Sequence, residues 1–112
     1  MTKSAVKNLA PLLLITTLAH GGAWAAEAPA AEVEIYKFAF IPQEITVKVG
    51  DTVRWSNKEK RQYHSVWFKQ AGDPEPDYFF PGESFSKTFT QPGSFPYRCG
   101  PHPQMTGIVH VR

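Results

Sequence analysis

Proline or glycine interrupts nearly every window beyond residue 32 that is long enough to hold a helix, and the runs between these breaks alternate apolar with polar residues. Proline removes a backbone donor and fixes φ, while β-branched and aromatic side chains fit a pleated surface. The runs are Glu32–Phe38, Glu44–Val49, Thr52–Ser56, Ser65–Phe68, Ser84–Thr90, Ser94–Cys99 and Gly107–Arg112. Turn residues separate them at Pro42, Val49-Gly50-Asp51, Gly72-Asp73-Pro74, Pro81-Gly82 and Gln91-Pro92-Gly93. This rhythm predicts an all-β chain: a Greek-key antiparallel β-sandwich of about seven or eight strands. Alternation assigns faces, with Ile45, Val47 and Val49 inward and Glu44, Thr46 and Lys48 outward. On the last strand Val109 and Val111 face the core while Ile108 and His110 face away. The expected core adds Val53, Trp55, Val66, Phe68, Phe85, Phe89, Phe95 and Tyr97.

The first 25 residues read as a secretory signal. Lys3 and Lys7 precede the apolar run Leu9–Ala19, and Ala23-Trp24-Ala25 offers small residues for cleavage. The run is too short to span a bilayer, which takes roughly 18–20 apolar residues. The expected layout is a signal peptide at 1–25, a flexible segment at 26–31 and one domain at 32–112, in a periplasmic protein. Lys3 and Lys7 carry off two of the twelve basic residues, whereas all ten acids lie beyond residue 26. The mature chain is therefore balanced in charge and lacks the basic surface that nucleic acid requires.

Cys99 is the only cysteine. It cannot form an internal disulfide, so in an oxidising compartment it is buried and inert, paired with another chain, or held as a metal thiolate. It lies in Tyr97-Arg98-Cys99-Gly100-Pro101-His102-Pro103-Gln104-Met105, a Cys-x2-His-x2-Met spacing between two expected strands. His64 lies at the start of another run, where a sandwich can bring it to the same end. Two imidazoles, a thiolate and a weak thioether suit copper in both oxidation states, with little ligand movement on gain or loss of an electron. Zinc gains little from a thioether, and hydrolytic zinc wants an open position and a base. A Cys–His nucleophile pair lacks, in the sequence, any evident orienting third residue or oxyanion site. Taken singly, Met105 reads as core and His64 as an ordinary strand histidine; together the four residue types point to copper.

These residues resemble the cupredoxins, the small blue-copper electron carriers, over about Glu32 to Arg112. Val47-Lys48-Val49-Gly50-Asp51-Thr52-Val53-Arg54-Trp55 is similar to the second and third strands of that family. The short Cys-to-His and His-to-Met spacings are closest to the amicyanin branch. The resemblance implies one type-1 copper per chain, with His64, Cys99 and His102 as equatorial ligands and Met105 as the weak axial ligand. It implies an outer layer of Ser65, Gly100 and Pro101, in which the Ser65 N–H reaches the Cys99 sulfur and Pro101 withholds a second donor. Ser65 stands where most of the family has Asn, and Gly100 where amicyanin has Thr.

The resemblance also implies an electron-transfer patch at His102 flanked by Pro101 and Pro103, with Pro42, Tyr63 and Phe80 as a looser rim. Partners would be transient redox proteins, a c-type cytochrome or a periplasmic dehydrogenase or reductase, approached by a monomer with no membrane span. The basic Lys58, Lys60 and Arg61 and the acidic Asp73, Glu75 and Asp77 are either steering patches or solvated surface. The expected role is single-electron transport without substrate chemistry. The alternative is a periplasmic protein of copper storage, delivery or resistance.

Overall fold

The computed structural model describes residues 28–112, so the leader reading at 1–25 lies outside the described residues. Seven strands follow in order: β1 Ala31–Tyr36, β2 Ala39–Ile41, β3 Glu44–Val47, β4 Thr52–Asn57, β5 Ser84–Thr88, β6 Gly93–Arg98 and β7 Thr106–Val111. One sheet runs β2-β1-β4-β5 and the other β3-β7-β6. The β-sandwich is as expected, but its sheets are mixed, not purely antiparallel. β1 pairs parallel to β4, and β3 parallel to β7. Parallel neighbours need long connections, and here these cross from one sheet to the other. Among the described residues no helix is long and apolar enough to cross a membrane.

Period-two patterning builds the sandwich. Val33 and Ile35 of β1, Val53 and Trp55 of β4, and Val109 and Val111 of β7 are all buried, with polar neighbours turned outward. Each such side chain contributes about 1.5–3 kcal/mol through removal from water. Trp55 is the centre of the core: Phe68, Phe85 and Tyr97 pack around its ring at centroid distances of 6.0, 5.8 and 5.4 Å. Gly107, the cross-strand partner of Tyr97 on β6, makes room for that ring, since a Cβ there would lie 2.4 Å from the Tyr97 hydroxyl.

Several local expectations change. Val49 is exposed, not inward, because β3 ends at Val47 and the chain turns through Gly50 at φ 97°. Ser65–Phe68 is not a strand; it is held by isolated bridges, His64 to Phe79 and Trp67 to Arg98. The run Glu32–Phe38 stops at Tyr36, because Lys37 and Phe38 adopt left-handed φ values of 50° and 59° and turn the chain into β2. Two positive-φ residues are what a tight hairpin needs to match strand twist. At the other end, the Ala30 N–H already bonds Thr52 O at 2.8 Å and Ala31 opens β1. Val33, Ile35, Phe40, Phe79, Cys99 and Met105 complete the core beyond the expected set.

Candidate metal centre

Two connections meet at one end of the sandwich. The first leaves β4 at Asn57 and carries His64; the second joins β6 to β7 and carries Cys99, His102 and Met105. Asn57, buried, organises the first. Its Nδ2 donates to Gln62 O at 2.9 Å and Phe79 O at 3.1 Å, and its Oδ1 accepts the Glu59 N–H at 2.9 Å. His64 is then fixed through its backbone, which exchanges bonds of 3.1 and 2.8 Å with Phe79. The second loop closes on itself: Cys99 N donates to Met105 O and Met105 N to His102 O, both at 2.9 Å.

The donor atoms of His64, Cys99 and His102 lie within 4.8 Å of one another. Cys99 Sγ is 3.5 Å from Nδ1 of each imidazole. Met105 is buried three residues after His102 in the second loop. His64, Cys99 and Ser65 are fully enclosed, while the His102 ring is partly open. Burial pushes the Cys99 thiol up, against the pull of the Ser65 N–H. Burial, then the neighbouring His64, pushes the His102 imidazole down and favours its neutral form. The donor set therefore presents two imidazoles and a sulfur whose proton a metal must displace.

Ser65 ties the two loops together twice. Its N–H points at Cys99 Sγ at 3.4 Å, and its Oγ accepts the Gly100 N–H at 2.8 Å. Gly100 is required by this approach: a Cβ there would meet Ser65 Oγ at 2.7 Å and Glu75 Oε2 at 2.5 Å. The Ser65/Gly100 pair thus ties the two loops through one short side chain. Pro101 and Pro103 flank His102 and offer no N–H.

Two residues that the sequence did not single out complete the centre. Glu59 lies inside the basic run Lys58–Arg61, yet its carboxylate is almost enclosed, 8% exposed, and turns inward. One oxygen, Oε2, accepts from the Phe38 N–H at 2.8 Å and contacts His64 Nε2 at 2.9 Å. Burial opposes its ionisation, but hydrogen bonds from Phe38 N–H, His64 and Lys37 N–H outweigh this and hold the carboxyl below its ordinary range. Phe38 sets its ring edge against both imidazoles, 5.5 Å from His64 and 4.9 Å from His102. The only signals for these two in the sequence were an acid within a basic run and a bulky residue at a hairpin tip.

Glu59 also corrects the expectation that no residue orients an imidazole beside Cys99. Sulfur, His64 and Glu59 stand in the order of a nucleophilic triad. Cys99 and His64 are each 0% exposed, however, so no substrate carbonyl can reach the sulfur. Around His102 the exposed rings are Phe38 and Tyr63, the latter nearly parallel at 6.1 Å; Tyr78 and Phe80 pack on Tyr63. Tyr63 thus lies beside His102 with Phe80 packed on it, and Pro42 lies in the β2–β3 connection.

The family described as copper binding proteins, plastocyanin/azurin family, matches residues 28–112. Amicyanin-alpha of Methylorubrum extorquens is 40% identical over 91 residues, covering 76% of this chain and 76% of that protein. Amicyanin of Paracoccus versutus is 38% identical over 105 residues, covering 87% of this chain and 77% of that one. Among solved structures, the reduced state of an amicyanin mutant superposes with a TM-score of 0.69 at 37% identity, covering 79% of this chain and 89% of that one. The chain spans the copper-binding fold of these relatives and places its sulfur and imidazole donors together at one end of it: it belongs to the plastocyanin/azurin family of copper-binding proteins.

Proposed function

We propose that this protein is a periplasmic type-1 copper carrier that passes single electrons between transient partners and performs no substrate chemistry. Copper is held by His64, Cys99 and His102, with Met105 as the weak fourth donor. The convergence of three donor atoms within 4.8 Å, at the end of a rigid sandwich, carries this reading. When bound, copper supplies a one-electron couple between Cu(II) and Cu(I).

The protein's part is to keep the donors still while charge changes. Glu59 accepts from His64 Nε2 and so leaves Nδ1 free toward the metal. The Ser65 N–H disperses charge on the Cys99 sulfur, which favours the reduced state. Cys99 gives up its proton on metal binding, and enclosure keeps water from the sulfur. The partly open edge of His102 between Pro101 and Pro103 is the route for electrons, and Phe38 and Tyr63 beside it give a partner an apolar surface. A c-type cytochrome or a periplasmic dehydrogenase or reductase fits this chemistry.

The test is voltammetry and self-exchange of the copper-loaded protein. The reading requires a reversible one-electron wave and rapid exchange between oxidised and reduced molecules. A colourless protein that holds only Cu(I) and yields it readily to chelators would instead mark a copper-handling role.

A further inference from the structure

Arg98 precedes Cys99 at the end of β6, and its side chain folds back over the loop that follows. Its Nε donates to Cys99 O at 3.1 Å and its Nη2 to Gly100 O at 2.6 Å. The guanidinium lies over the Trp67 indole, with Cζ 4.9 Å from the ring centroid. Trp67 is itself held: it exchanges backbone bonds of 2.8 and 3.1 Å with Arg98, and its Nε1 donates to Asp73 O at 2.9 Å. Among the described residues, no carboxylate forms an ion pair with Arg98. A half-buried cation with no ion-pair partner among the described residues is therefore fixed against the start of the ligand loop, on which the Glu75 carboxylate also bears beside Gly100.

Two consequences follow from elementary chemistry. A planar fork holds two successive carbonyls in one fixed geometry, whereas an ammonium group on a flexible stem leaves them freer to move. The Cys99–Gly100 peptide accepts from Arg98 Nε at its oxygen and donates its Gly100 N–H to Ser65 Oγ, so the fork and the Ser65 tie hold it from both ends. The centre carries one more positive charge when oxidised, so a fixed cation nearby disfavours that state. We propose that Arg98 is a positioning residue of the copper centre: braced on Trp67, it fixes the Cys99 and Gly100 carbonyls and biases the bound metal toward its reduced form.

This rests on Cys99 being a copper ligand, and the test separates the two ideas. Arg98→Met and Arg98→Lys are compared with the unsubstituted protein by voltammetry of the copper-loaded form and by amide hydrogen exchange of the metal-free form. Arg98→Met should shift the equilibrium three- to tenfold toward the oxidised state, where tenfold is about 59 mV for one electron. Its Gly100 amide should exchange faster. Arg98→Lys should recover at least half of the potential shift while Gly100 exchange stays fast. An intact blue band with a potential changed less than twofold in Arg98→Met overturns the role of Arg98 and leaves the copper site standing. So does an Arg98→Lys protein that recovers none of the shift or exchanges as slowly as the unsubstituted chain. If Arg98→Met does not fold, Arg98→Lys decides: near-normal potential with fast exchange supports the proposal, and any other result overturns it. A protein without the blue band before any substitution would refute the ligand assignment instead.

Discussion

Glu59 spends a single carboxylate oxygen on two different loops, through the Phe38 N–H and His64 Nε2. Its buried negative charge favours the more positive, oxidised centre. Glu59→Gln keeps the shape and removes the charge, so the reduction potential should rise by about a tenfold change in equilibrium, ~59 mV. Voltammetry reads this directly, and an unchanged or lower potential would contradict it. The Cys99, His102 and Met105 cluster was legible in the sequence because covalent spacing alone brings those side chains together. Glu59 was not, because its partner is chosen by the path from Asn57 to His64, and that path exists only once Asn57 has bonded Gln62 O and Phe79 O. His64 itself was found as a residue type that the loop lacked, not from any local pattern.

Between the elements, hydrogen bonds decide what alternation cannot. Strands with a clean two-residue period, such as β4 and β7, could be read directly, because each has one dry face. β2, three residues long, carries too little pattern, and Ser65–Phe68 has the pattern without the ladder. The connection after β4 depends on Asn57, whose donors and acceptor are all committed. Asn57→Ala should therefore destabilise the fold by about 2–3 kcal/mol, since it leaves buried backbone groups unpaired; urea unfolding measures it, and a loss below ~1 kcal/mol would contradict the account. The β1–β4 pair carries the Glu32–Arg54 bridge at 2.5 Å. The Arg54 hydrogen bond holds the Glu32 carboxyl below its ordinary 4.5, although partial desolvation opposes this. A depressed carboxyl stabilises the fold above its ordinary value and loses that contribution as pH falls through the folded value. Both side chains are nearly half exposed, 42% and 46%, so the effect is small and salt-screened. Glu32→Gln should lower the melting temperature slightly at pH 7 and leave it unchanged at pH 2; equal losses at both would remove the ion pair from the explanation.

The molecule as a whole is two sheets joined at one end by ligands from both. His64 comes from the connection that leaves β4, and Cys99 ends the β6 side, so a metal held by both would link the sheets at that end. A ligand present at a thousandfold excess over its dissociation constant adds about 4 kcal/mol to stability. Copper loading should therefore raise the thermal midpoint by several degrees, and removal by a chelator should reverse it. Calorimetry with and without metal that gave equal midpoints would mean that the donors do not close around an ion in the folded state. The fold class was visible in the sequence because turn residues and alternation are local; the parallel pairings were not, because they depend on which sheet each connection reaches. As a copper ligand, the single sulfur gives the bound metal its colour and its electron chemistry. The deciding experiment is the visible spectrum of the copper-loaded protein beside that of its Cys99→Ser variant. An intense blue thiolate-to-copper band in the first and none in the second is the predicted result, and a band that survives the substitution would contradict it.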